Sequence, residues 1–155
     1  MSAVYLGVEE IGAEIQCKSS NRSLEEKLIE QIENQQLCGK IKRSSNDPKN
    51  EILIEISKFG LKIVHRKSSD VILRVPLLQL VVFTTFNDGY GKTNAIILES
   101  SEKRFKCHLV QFATDADASK MCKMVQGCFQ EAEEARMLLD NTEPPSPSNP
   151  ELFHK

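Results

Sequence analysis

Two periodicities divide the chain. Between Asn50 and Phe112 apolar residues recur at alternate positions in short runs, and Ile52, Ile54 and Ile56 alternating with Leu53, Glu55 and Ser57 set the pattern. A period of two sends successive side chains to opposite faces, so this run predicts a half-buried strand. The same reading gives strands over Leu61 to Lys67, Val71 to Val75, Leu80 to Phe86, Ala95 to Glu99 and Phe105 to Phe112. Turns fall at Lys58-Phe59-Gly60, Ser68-Ser69-Asp70 and Glu102-Lys103, and the loop NDGYGKT follows Phe86. Pro76 has no backbone donor and interrupts the ladder before Leu80. A β-friendly stretch, Val4 to Ile11, brings the expected strands to seven.

The second period is helical and appears twice. Ser23 caps a helix, with Glu26 three residues on completing a capping box, and Leu24, Leu28, Ile29 and Ile32 form its apolar stripe. This helix is expected to end near Asn34, before a polar loop punctuated by Gly39 and Pro48. After Phe112, Thr114 supplies a cap and Asp117 a first-turn acid. Ala118, Met121, Cys122, Val125, Cys128, Phe129, Ala132, Ala135 and Leu139 then mark one stripe of about six or seven turns. A stripe this long needs a sheet to lie against. Beyond Asn141 the composition changes to TEPPSPSNPELFHK, which predicts a domain over 1–141 and a disordered tail over 142–155. The expected fold is α+β: a partly open, seven-stranded antiparallel barrel plugged by the terminal helix.

Composition narrows the partners. The 155 residues are 40% hydrophobic and 27% charged, enough for a core without disulfides. A net charge of -2 excludes a strong global attraction to nucleic acid. No apolar run reaches the roughly 18 residues of a membrane span. MSAVYLGVEE lacks the features of a secretory signal, and the five cysteines, including Cys17, form no C-x-x-C pair. The expectation is a cytoplasmic or nuclear protein with reduced thiols and no metal or other cofactor.

Catalytic motifs fail on spacing. Gly89-Tyr90-Gly91-Lys92-Thr93 suggests a phosphate loop, but that motif needs a glycine where Phe86 stands and a helix where a strand follows. His65 and His108 lie within strands, where a satisfied or solvent-facing histidine is expected. Glu9, Glu10, Glu131, Glu133 and Glu134 read as solvated acids. No nucleophile, base and orienting group converge, so no enzyme is expected. Two features point to binding instead. Lys40, Lys42 and Arg43 form a basic cluster suited to anionic phosphoinositide headgroups, with Lys58, Lys62, Arg66 and Lys67 as a second basic group. Leu80, Val81, Val82, Phe83 and Thr84 form either a buried strand or a sheet edge open to an added peptide strand.

Strand, helix, six strands and a long terminal helix is an order that resembles a phosphotyrosine-binding (PTB) domain of the pleckstrin-homology superfold. Val4-Tyr5-Leu6-Gly7 resembles the YLG opening of many such domains. Ser57-Lys58-Phe59-Gly60-Leu61-Lys62-Ile63 and Phe86-Asn87-Asp88-Gly89-Tyr90-Gly91 are similar to segments of the integrin cytoplasmic-domain-associated branch. Val71-Ile72-Leu73-Arg74-Val75-Pro76 resembles the malcavernin branch, that of the cerebral cavernous malformation scaffold. The resemblance spans about Val4 to Leu139 and implies a monomeric adaptor for N-P-x-Y or N-P-x-F peptides, phosphorylation not being required. It implies as partner an integrin cytoplasmic tail or a cavernous-malformation-type scaffold. It places the peptide on Leu80, Val81, Val82, Phe83 and Thr84, with Met121, Val125 and Phe129 on the helix side. The runner-up is a membrane-surface module using Lys40, Lys42 and Arg43. The tail carries Asn149-Pro150-Glu151-Leu152-Phe153, whose aromatic falls one residue late for the motif, and reads as a plain tail or a weak self-ligand.

Overall fold

The computed structural model describes residues 1–16, 22–102 and 104–142. Strands β1 (Ser2–Ile11), β2 (Glu51–Ser57), β3 (Gly60–His65), β4 (Val71–Pro76), β5 (Leu80–Asn87), β6 (Thr93–Ser101) and β7 (Arg104–Phe112) make one sheet. Their order is β4-β3-β2-β1-β7-β6-β5, and every ladder is antiparallel. Helix α1 (Leu24–Leu37) follows β1, and helix α2 (Asp115–Thr142) follows β7. This is the α+β, pleckstrin-homology-like plan, with an open sheet whose end strands are β4 and β5. Cys17, Lys103 and the tail 143–155, with its Asn149 to Phe153 segment, lie outside the described residues.

Alternation along the strands builds two cores. On one face, Ile52, Ile54, Leu61, Ile63, Leu80, Ile97, Val110 and Phe112 pack with Ala118, Met121 and Val125 of α2. On the other, Leu6, Ile96, Leu98, Cys107 and Leu109 pack with Leu28 and Ile32 of α1. β6 lies between the two, and Thr93 through Glu99 are all buried. Thr93 and Asn94, read as loop from their polarity, join β6 because they pair with Asn87 and Phe86 on one side and Phe112 and Gln111 on the other.

Local chemistry sets the ends of α1. Ser23 Oγ accepts from the Glu26 N–H at 3.1 Å and donates to its carboxylate at 3.2 Å. The helix runs on to Leu37, past the expected stop at Asn34, because Gln35, Gln36 and Leu37 are good helix formers. It stops where Gly39 adopts φ +80°, the left-handed cap that glycine takes without strain. In α2 the outcome is different. Burial along the stripe ends near Val125, and every residue from Gln130 to Leu139 is exposed. The helix outruns the sheet, so Ala132, Ala135 and Leu139 keep the period but have no strand to cover.

One polar chain crosses the core. His108 on β7 and Glu99 on β6 are 4% and 8% exposed, and His108 Nε2 lies 2.7 Å from the Glu99 carboxylate. Tyr5 Oη lies 2.8 Å from His108 Nδ1. A neutral imidazole that donates from Nε2 and accepts at Nδ1 satisfies both contacts. Burial lowers the His108 pKa below 6.5, opposed in part by the hydrogen bond and charge of Glu99. Burial and the Glu99 charge push Tyr5 up from 10.0 to about 12, and burial pushes the neighbouring Cys107 thiol from 9.0 to about 12.

Two measurements check this account. Below about pH 6.5 the unfolded chain takes up a His108 proton that the folded chain refuses, so stability rises with pH there by up to about 1.4 kcal/mol per unit. Urea denaturation across that range is expected to show this slope, and His108→Gln is expected to flatten it. Tyr5 and Cys107 act at the alkaline end, where stability falls once the unfolded groups ionise before the folded ones. Gly60 holds φ +124°, and a Cβ there would sit 2.1 Å from the Val75 carbonyl oxygen. Gly60→Ala is expected to cost about 2 kcal/mol or more in the same assay.

Candidate functional site

β5 ends the sheet. Among the described residues its one strand partner is β6, and no strand pairs with the other side of its backbone. Leu80 pairs with Glu99 and Val82 with Leu98, so Val81 is an extra residue in a bulge. The bulge resets the alternation. Leu80 and Phe83 both face the α2 core, whereas Val82 and Phe86 face the α1 core. Val81 belongs to neither core and is 39% exposed.

α2 runs beside this edge. Asn87 at the end of β5 pairs with Thr93, whose hydroxyl bonds the Asp115 carboxylate, so α2 starts at the C-terminal end of β5. Met121 and Val125 then share a core with Phe83 and Leu80. Phe129 lies one turn beyond Val125, about 6 Å further along the axis. It is 37% exposed.

The eight residues expected to meet a peptide divide by accessibility. Leu80, Val82, Met121 and Val125 are buried at 9% or less and form the floor of the strand and helix. Phe83 and Thr84 are half-buried, and Val81 and Phe129 are the most accessible. Met124, 40% exposed on α2, was not foreseen, because it falls outside the apolar stripe. It lines a cleft on the β2 side of the helix with Ile54, Ile56 and Lys120.

The three cations of the basic cluster, Lys40, Lys42 and Arg43, are all exposed. Lys40 acts on Glu9 of β1, which is half-buried and whose pKa burial raises despite Lys40 and Gln31. Glu9 Oε2 has no hydrogen-bond partner, so Glu9 is not the solvated acid expected of it. The Arg43 guanidinium lies 5.5 Å from the Tyr90 ring centre, in a cleft it shares with Glu30, Glu33 and Asp88. The Arg43 carbonyl accepts from Gln111, which also bonds Asp88 and Asn94 and so ties three loops and strands together. Of Lys40, Lys42 and Arg43, two therefore face acidic groups of their own chain.

One hydrogen-bonded chain in the core has a catalytic look. The Tyr5–His108–Glu99 chain has the order of a proton relay, but His108 and Glu99 are sealed from substrate. One sign of it is legible along the chain, where Glu99 closes the apolar run Ala95-Ile96-Ile97-Leu98. His65 stands in β3, half-buried, opposite Ile52. Among the described residues no group of three or more His, Cys, Asp or Glu is placed to hold a metal ion. No helix among them is long and apolar enough to cross a membrane.

With this geometry established, comparison with known families gives a match over residues 3–136 to the family described as beta-1 integrin binding protein. The match covers nearly all of the described domain, and the chain belongs to that family. A comparison with curated proteins found no match. Membership of a family of binding proteins supports a protein-binding adaptor role, with the pleckstrin-homology-like plan as its scaffold.

Proposed function

For this member of the beta-1 integrin binding protein family, we propose a non-catalytic adaptor that takes an extended segment of an integrin β1 cytoplasmic tail onto β5. The segment carries N-P-x-Y or N-P-x-F and pairs antiparallel with Val81 to Thr84 through main-chain hydrogen bonds. Its turn lies against Phe129 of α2. One observation carries the reading: among the described residues the outer edge of β5 has no strand partner, and α2, which bears the exposed Phe129, packs against that strand. Added strands draw affinity from the backbone and specificity from neighbouring side-chain contacts. The buried Leu80, Val82, Met121 and Val125 set the positions of strand and helix, and Val81 and Phe129 make the contact.

Charge supports recognition without phosphate. β5 carries no cation, and the helix segment from Gln126 to Glu134 holds Glu131, Glu133 and Glu134 with no Lys or Arg. Arg136 beyond it is already paired with Glu133. A phosphotyrosine bound at Phe129 would meet carboxylates instead of the guanidinium groups that reward a dianion.

Fluorescence anisotropy with a labelled N-P-x-Y peptide tests the reading. The parent protein is expected to bind, Phe129→Ala to weaken binding about tenfold to a hundredfold, and Val81→Asp to abolish it. The phosphorylated peptide is expected to bind no more tightly than the plain one. Absence of binding by the parent, or full affinity in Val81→Asp, would falsify the placement on β5. Tighter binding of the phosphopeptide would overturn the charge argument alone.

A further inference from the structure

One corner of the sheet lies away from the β5 edge and combines features that the peptide reading does not use. Lys58 and Phe59 form the tip of the β2–β3 hairpin, and Phe59 is 79% exposed. Gly60, next to it, pairs with Pro76 at the end of β4. The chain then makes a 3-10 turn, Leu77–Gln79, which contacts β3. Leu77 packs into the core, while Leu78 is fully exposed at 101%. Two large apolar side chains thus project from adjacent connections.

Cations frame them. The Lys58 ammonium lies 5.2 Å from the Phe59 ring centre. Lys62 and Arg74 are cross-strand partners on β3 and β4. Both line a cleft of about 380 Å³ with Phe59 and Pro76. The one acid lining that cleft is Glu55, 3.9 Å from Lys62 and 60% exposed. A pair this long and this exposed leaves the lysine able to exchange it for another anion.

We propose that this corner is a contact site for an anionic lipid bilayer, with Phe59 and Leu78 entering the interface and Lys58, Lys62 and Arg74 meeting headgroup phosphates. The shape selects this occupant. A protein partner would bury such projections in a matching hollow, whereas a bilayer accepts a protruding apolar tip directly and supplies the negative charge around it. Phe59 is the outermost side chain of a tight hairpin and Leu78 of a one-turn connection, so neither serves the core. The proposal does not depend on the peptide reading, because its residues lie in the β2–β3 turn, on β3 and β4, and in the turn before β5.

Co-sedimentation of the full chain with phosphatidylcholine vesicles, with and without phosphatidylserine, decides it. The parent is expected to pellet with the anionic vesicles and not with the neutral ones, and added salt is expected to release it. Neutralising Lys58, Lys62 and Arg74 to Ala together is expected to weaken binding about a hundredfold, roughly fivefold for each cation. Phe59→Ser with Leu78→Ser is expected to weaken it at least about tenfold, since apolar burial contributes separately. All these positions are partly or fully exposed, so an unchanged thermal midpoint is the folding control. No pelleting by the parent overturns the proposal. Equal pelleting by the Phe59, Leu78 variant also overturns it, and would leave the corner to a protein partner.

Discussion

Met121 and Val125 occupy the space between two parts of a sheet that never closes. The strand order leaves β4 and β5 unpaired on their outer sides, so no ladder joins the ends. What unites Ile54 of β2 with Leu80 of β5 is the helix packed against both. Burying side chains of this size stabilises by about 1.5–3 kcal/mol each, and Ala118 lets the backbone approach closely enough for the others to reach. The same packing that completes the core holds α2 beside β5. Closure by a helix instead of a strand is the constraint from which the rest follows, because a closed barrel would have no edge to offer.

The edge is shaped by a single extra residue. Without the bulge at Val81, strict alternation would place Leu80 and Val82 on the same face and send Phe83 to the other. With it, Leu80 and Phe83 both support α2, Val82 supports α1, and Val81 is left outside. A strand buried on both faces ordinarily has little side-chain surface to present. Here the bulge supplies that surface at the start of the strand.

The interior is less apolar than a minimal design would make it. His108, Glu99 and Tyr5 satisfy one another across three strands, and Gln111 links Asn94 and Asp88 to the Arg43 backbone. Such networks contribute little net stability beside well-packed hydrocarbon, but a half-satisfied one is costly, so they fix which strands lie together. The Gln111 hub bears directly on the site, since it anchors the loop after β5 to β6 and β7.

Periodicity alone determined much of this protein. Alternation together with β-branched and aromatic content located all seven strands, Ser23 and Glu26 located the start of α1, and the Met121, Val125 stripe located α2. Order of elements and a few short motifs then pointed to the PTB plan. Pattern could not decide how far each period is used. Ala132, Ala135 and Leu139 repeat as faithfully as Met121, yet they are exposed, because burial depends on where the sheet stops and not on the helix's own sequence. Nor could it decide that Leu80 to Asn87 is an edge: a strand's neighbours are set by long-range pairing, and the same apolar run suits a central strand. Lys40 and Arg43 read as one basic patch from their closeness in sequence, and spacing alone could not show that folding sets Glu9 near one and Tyr90, Glu33 and Asp88 around the other. Local residues set the elements, but only the tertiary structure could set which surfaces remain open, since exposure is a property of the neighbours.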